Sequence, residues 1–223
     1  MDETEATQVD VDLYREVHKG LRLALFDLVQ QAGALDGGSG PSVESFVRLF
    51  GDIDMMLQTH HGHEDGEHLG SLIAQHASQF VMAVEAAHEN SEKQLEELRS
   101  LVSSLGDGVD NADAIYDAVV SFTSDYLDHM QIEENDVMPA LQAGASIEDL
   151  MAITMAIRTS VPPPDMCVFL RYMLPAMNPD ERTATLGGMK AGAPPEIFDL
   201  FWGVASENLA SSDLAVVAGR LAA

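Results

Sequence analysis

The stretch IYDAVVSFTSDYLDHMQIEE, residues 115–134, joins an apolar helical stripe to a histidine and two glutamates. Ile115, Val119, Phe122 and Tyr126 recur at helical spacing and, at about 100° per residue, share one face. His129 and Glu133 extend that face, whereas Glu134 turns roughly 100° away from Ile115. A histidine and a carboxylate four residues apart thus stand where core residues belong. One such pair is often no more than an i,i+4 hydrogen bond or ion pair, so its meaning depends on the other helices.

The same pattern recurs upstream. Phe46, Leu49, Phe50, Ile53 and Leu57 define a stripe that His60 and Glu64 continue within about 20°. These two belong to THHGHEDGEH, residues 59–68. His61 and His63 fall about 80° to either side. With Glu67 and His68 they read as a solvated rim or an adventitious metal cluster. Gly62 and Gly66 weaken the helix here, and an early break would let Glu67 replace Glu64. Two further helices each carry one core-facing histidine: His18 among Val11, Tyr14, Leu21, Leu25 and Val29, and His88 with Val81, Val84, Leu95 and Val102. His18 lies early in its helix, His60 late, His88 early and His129 late, which is one level of an antiparallel bundle.

A lone histidine on an apolar stripe is usually a satisfied core residue. Four of them with two carboxylates at one level are different, because burying each carboxylate uncompensated costs several kcal/mol. The chain has little cationic help to offer, with 11 basic residues against 37 acidic ones. A multivalent cation satisfies all six groups together.

Strand-like alternation is nearly absent, and long helical periods dominate. Helix A is expected over about residues 9–34, B from Pro41 to about Glu64, C over about 77–105 and D over about 111–141, with Pro139 bending or ending D. A helical turn near Leu69 to Gln75 is expected between B and C. Short connections favour an all-α, antiparallel up-down four-helix bundle over residues 1–143. Residues 144–223, punctuated by SVPPPD, LPAMNPDERT and LGGMKAGAPPE, read as an appended set of short helices.

The net charge of −26 repels phosphate backbones and anionic lipid, which argues against nucleic-acid and membrane partners. No run approaches the 18 or so apolar residues of a membrane span. A single cysteine, Cys167, excludes an intrachain disulfide and reads as an inert thiol. A reducing cytoplasm is the expected location. Met55, Met56 and Met130 read as gap-filling core residues.

Imidazole and carboxylate without thiolate argue against a structural zinc–thiolate site and suit iron, with manganese or zinc as competitors. At i and i+4 a histidine and a glutamate lie about 6 Å apart along the axis, so the glutamate can bridge two metals while its histidine binds one. Of roughly twelve positions on two octahedral ions, four imidazoles and two bridging carboxylates fill eight. An oxo or hydroxo bridge fills two more, leaving about one open position per metal. An open position beside an iron redox couple means chemistry on dioxygen, hydrogen peroxide or nitric oxide. Tyr14 and Tyr126 share the ligand stripes and are candidates for hydrogen bonds to a bound species, though each fits core packing as well.

The set His18, His60-x-x-x-Glu64, His88, His129-x-x-x-Glu133 resembles the hemerythrin-like, or HHE cation-binding, family. HHGHED and YLDHMQIEENDVMPAL look like that family's second and fourth helices, and the likeness covers roughly residues 9–143. It implies a di-iron centre in a four-helix bundle, with His18, His60, His88 and His129 as terminal ligands and Glu64 and Glu133 bridging. It also implies reversible dioxygen binding, or in bacterial relatives oxygen sensing, peroxide or nitric oxide chemistry, or iron storage. The tail resembles extensions on actinobacterial-type members. Oxygen-carrying members use five histidines, with HxxxH on the third helix; here Glu92 follows His88, so one nitrogen ligand is missing. Glu92 is read as a surface acid that is a possible extra ligand. The smaller nitrogen count leans the expectation towards peroxide or nitric oxide detoxification, with catalase-like or peroxidase-type turnover. A sensor whose metal state sets the C-terminal helices is the competing reading.

Overall fold

The computed structural model describes residues 11–222, apart from the side chain of Glu67. Asp12 accepts hydrogen bonds from the amides of Tyr14 and Arg15, and α1 follows over Arg15–Gly33. The predicted start near Val9 lies outside the described residues. Pro41 stands in the first turn of α2, Gly40–Glu64, where its missing N–H costs nothing. The helical turn expected next is a full helix, α3, over Glu67–His76. Then come α4, Val81–Gly106, and α5, Ala112–Ile132.

Pro139 neither ends nor sharply breaks the fourth long helix. Proline removes a donor and crowds the carbonyl four residues back. The chain widens into a π-helical turn over Glu133–Val137, where the Met138 amide donates to Glu133, and then continues as α6, Met138–Gly144.

In this ring, α1 packs against α2 and α5, and α4 packs against the same two helices. The early residues His18 and His88 meet the late residues His60, Glu64 and His129, as alternating up and down helices require. The other end is apolar: Leu28, Leu98, Leu105, Ile115 and Val119 belong to one buried cluster. A second cluster, including Tyr14, Ile73, Val84, Val137 and Leu150, lies beyond the histidines. The polar level is therefore a layer about one helical turn thick between two apolar ones.

Five more helices follow: α7 Ile147–Ser160, α8 Pro163–Ala176, α9 Pro179–Gly192, α10 Pro195–Asn208 and α11 Ser211–Ala222. Ser146 caps α7, and Asn178 forms a reciprocal capping box with Glu181 on α9. These helices do more than hang from the bundle. Phe169 and Tyr172 of α8 join the main core, while Leu174, Leu186, Phe201 and Val217 form a third cluster. Gly20 makes the α1–α8 contact possible, since a Cβ there would stand 2.6 Å from Met173 Cγ and 3.1 Å from its Cα.

Candidate metal centre

All six sequence-predicted ligands are buried and meet in the polar layer. Their helices aim them inward because each follows an apolar stripe by one turn. The Glu64 Oε1 atom lies 3.1 Å from His60 Nε2, and its Oε2 lies 3.1 Å from His88 Nε2. Glu133 behaves likewise, with Oε2 3.3 Å from His18 Nε2 and Oε1 3.2 Å from His129 Nε2. Each carboxylate thus spans two groups of imidazoles.

His61 corrects the sequence reading. It is 8% exposed, not on a solvated rim, and its ring stacks on Tyr126 with centroids 5.4 Å apart. His61, Glu64, His88 and His129 offer ligand atoms within 4.8 Å of one another, and so do His18, His60, Glu64 and Glu133. The imidazoles therefore divide two and three, with His61 of α2 a fifth beside the four predicted. The i,i+3 spacing of His61 and Glu64 was the sequence signal for this, since residues three apart share a helix face.

The remaining rim residues behave as expected. His68 is exposed, and His63 Nε2 meets the Ser160 hydroxyl at 2.8 Å. Glu92 is engaged outside the site by Arg99 at 2.7 Å. Helix α2 runs unbroken to Glu64, so Glu64 itself occupies the layer. The Glu67 side chain lies outside the described residues.

Two carboxylates overlooked in the sequence orient the ligands. His18 Nδ1 lies 3.0 Å from Glu134 Oε1, which Arg22 also holds at 2.7 Å. His88 Nδ1 lies 2.9 Å from Asp65 Oδ1. Carboxylates only accept, so both rings carry a proton on Nδ1 and turn Nε2 inward, the arrangement found around metal-binding histidines. Glu134 faces away from the apolar stripe, and that is what places it behind the His18 ring.

The layer is short of donors. Among the described residues, both oxygens of Glu64 and of Glu133, and Nε2 of His61, His88 and His129, are buried without a well-directed hydrogen bond. Buried polar groups are seldom left so. Burial and the charge of Glu64 push the Glu133 carboxyl up to about 7. Burial holds His129 down to about 3 and also lowers His60 and His61, which favours neutral, ligand-type imidazoles. Burial also opposes charge on His18 and His88, but neighbouring carboxylates outweigh it and raise them to about 9 and about 10. Without a cation the layer takes up protons instead, and a donor set of this kind fits a metal.

The hydroxyls of Tyr14 and Tyr126 are buried and unpartnered beside these groups. Burial, then the charges of Glu64 and Glu133, keeps both phenols protonated well above the usual range. Cys167 is half-buried and free, with burial raising its thiol. Met56 and Met130 fill the core and Met55 packs against it. No helix among the described residues is long and apolar enough to cross a membrane.

The family model of the hemerythrin HHE cation-binding domain matches residues 9–141. No curated protein and no solved structure matches the chain. The matched span covers all four long helices and every member of the histidine–glutamate layer, and more than half of the sequence. This chain belongs to the hemerythrin HHE cation-binding family.

Proposed function

We propose that the layer holds two iron ions sharing an oxo or hydroxo bridge, and that the protein binds and reduces a small oxygen species there. His18 and His60 would serve one ion, His61, His88 and His129 the other, with Glu64 and Glu133 shared. The observation that carries this is the two-and-three division of buried imidazoles around two spanning carboxylates. Five imidazoles, two carboxylates and a bridge would supply about eleven of the twelve positions of two octahedral ions, leaving roughly one open beside His18 and His60. Iron held there would supply a redox couple for small oxygen species.

The chain's own residues do the rest. Glu134 and Asp65 hold His18 and His88 by their Nδ1 protons. The apolar clusters above and below limit water at the layer, which strengthens the electrostatic contacts within it. Tyr14 and Tyr126 hold phenolic protons that no other group uses.

His61 removes the nitrogen-count reason for favouring peroxide or nitric oxide over dioxygen. The unshared tyrosine protons still favour peroxide, because cleaving an O–O bond consumes protons and reversible dioxygen binding does not. Hydrogen peroxide is therefore the first substrate assigned, with dioxygen and nitric oxide as further ligands. The division into a metal-binding bundle over residues 1–143 and a helical extension over residues 144–223, and a cytoplasmic location, belong to the same reading.

The test is the metal content and ultraviolet–visible spectrum of iron-grown protein, before and after peroxide. About two irons per chain, with oxo-bridged absorption that changes on peroxide addition, is expected. Oxygen evolution separates disproportionation from simple reduction. Zinc alone, or iron without charge-transfer bands, overturns the redox assignment.

A further inference from the structure

A cavity of about 120 Å³ opens beside the two-histidine side of the layer. Tyr14, His60 and Glu64 line its buried end. Half of its lining comes from the C-terminal part of the chain, including Ile157 of α7, Met166, Phe169 and Met173 of α8, and Met189 of α9, facing Val17 of α1. The more exposed rim includes Arg158, paired with Glu16 at 3.6 Å. The volume is on the order of ten times what one water needs, so hydrogen peroxide fills only a small part of it. Sulfur-containing, aromatic and branched apolar walls do not recognise a second polar molecule; they recognise a hydrocarbon body.

We infer that residues 144–223 complete a substrate pocket for a small organic hydroperoxide, with its alkyl body against α8 and its –OOH group at Tyr14 and His60. This rests on the peroxide reading above and adds the substrate class. Reduction breaks one O–O bond, takes up two protons and two electrons, and releases an alcohol and water. The electrons are those of a ferrous pair becoming ferric, so one diferrous centre consumes one hydroperoxide. The pocket explains why α8 is packed so closely on α1 at Gly20: it brings a wall to the layer that the four long helices lack.

Binding is tested apart from turnover. Full-length protein loaded with zinc and labelled with 13C at the methionine methyls is titrated with tert-butyl alcohol, the unreactive product of tert-butyl hydroperoxide. Saturable shifts at Met166, Met173 and Met189, with none at exposed Met82, are expected. Absence of saturable shifts overturns the pocket. Val17→Phe fills the cavity from α1, and Ile157→Phe does so from α7 if the first fails to fold. In a variant that keeps its metal, the alcohol shifts should vanish. Oxidation of the diferrous variant by tert-butyl hydroperoxide, measured relative to hydrogen peroxide, should slow at least tenfold. Oxidation of the unsubstituted protein by hydrogen peroxide but not by tert-butyl hydroperoxide overturns the substrate assignment. Reaction with neither peroxide, alcohol binding intact, overturns the peroxide reading and leaves the pocket standing.

Discussion

At the end of the bundle where α1 turns to α2 and α4 to α5, Leu28, Leu98, Leu105 and Ile115 are fully buried and meet one another's apolar side chains. About three to five helical turns away the same four helices bury five imidazoles and two carboxylates, several without a hydrogen-bonding partner. The first end lowers the free energy of the fold by removing hydrocarbon from water. The second raises it, because desolvated charges are not repaid within the protein alone. Stability and chemistry are thus separated along the bundle axis, so a substitution should cost metal at one end and folding stability at the other.

The largest contrast comes from Glu133→Gln against Leu98→Ala. The first should take the iron content from about two per chain to background by elemental analysis. The second should cost about 2–5 kcal/mol in urea unfolding and leave the iron-to-protein ratio unchanged. Full iron content in Glu133→Gln, or loss of iron in Leu98→Ala, would break the comparison.

Within the polar end, His61 and His68 form the next contrast. His61→Ala should weaken the ion at the three-imidazole group and leave about one tightly held metal per chain in a chelator competition. His68→Ala, at an exposed residue, should leave both. Equal behaviour of the two variants would return His61 to the rim.

Smaller effects belong to the residues that orient ligands without joining them. Asp65→Asn and Glu134→Gln should each lower metal affinity by roughly 10–100-fold, with the helical circular-dichroism signal intact. Glu134 has the further duty of holding Arg22, so its variant should be the less stable of the two.

The last contrast is with protons. His18 and His88 are raised to about 9 and about 10 in the metal-free protein. Groups raised above their unfolded values contribute stability below the unfolded imidazole range, and that stability is lost as pH rises through 9 and 10. Melting of the metal-free protein should therefore fall between about pH 7 and pH 10, while the metal-loaded protein, whose imidazoles are held by the ions, changes little. Parallel curves for the two forms would show that the histidines do not exchange protons for metal.

The sequence by itself determined the four long helices, the family resemblance and six members of the layer, because a core-facing residue on an amphipathic helix is announced by the apolar residues one turn before it. His129 and Glu133 follow Phe122 and Tyr126 in this way, and both are buried. Tertiary structure alone decided the rest, and for one physical reason: burial at the crossing of several helices is wider than the stripe of any one of them. His61 stands about 80° off its own stripe, yet Tyr126 and His88 from two other helices cover it. Glu134 and Asp65 lie off the stripe as well, and each reaches the outer nitrogen of a histidine brought in from a different helix. The cavity wall is the extreme case, since Met173 meets Gly20 across more than half the chain, and no local period could have foretold that contact.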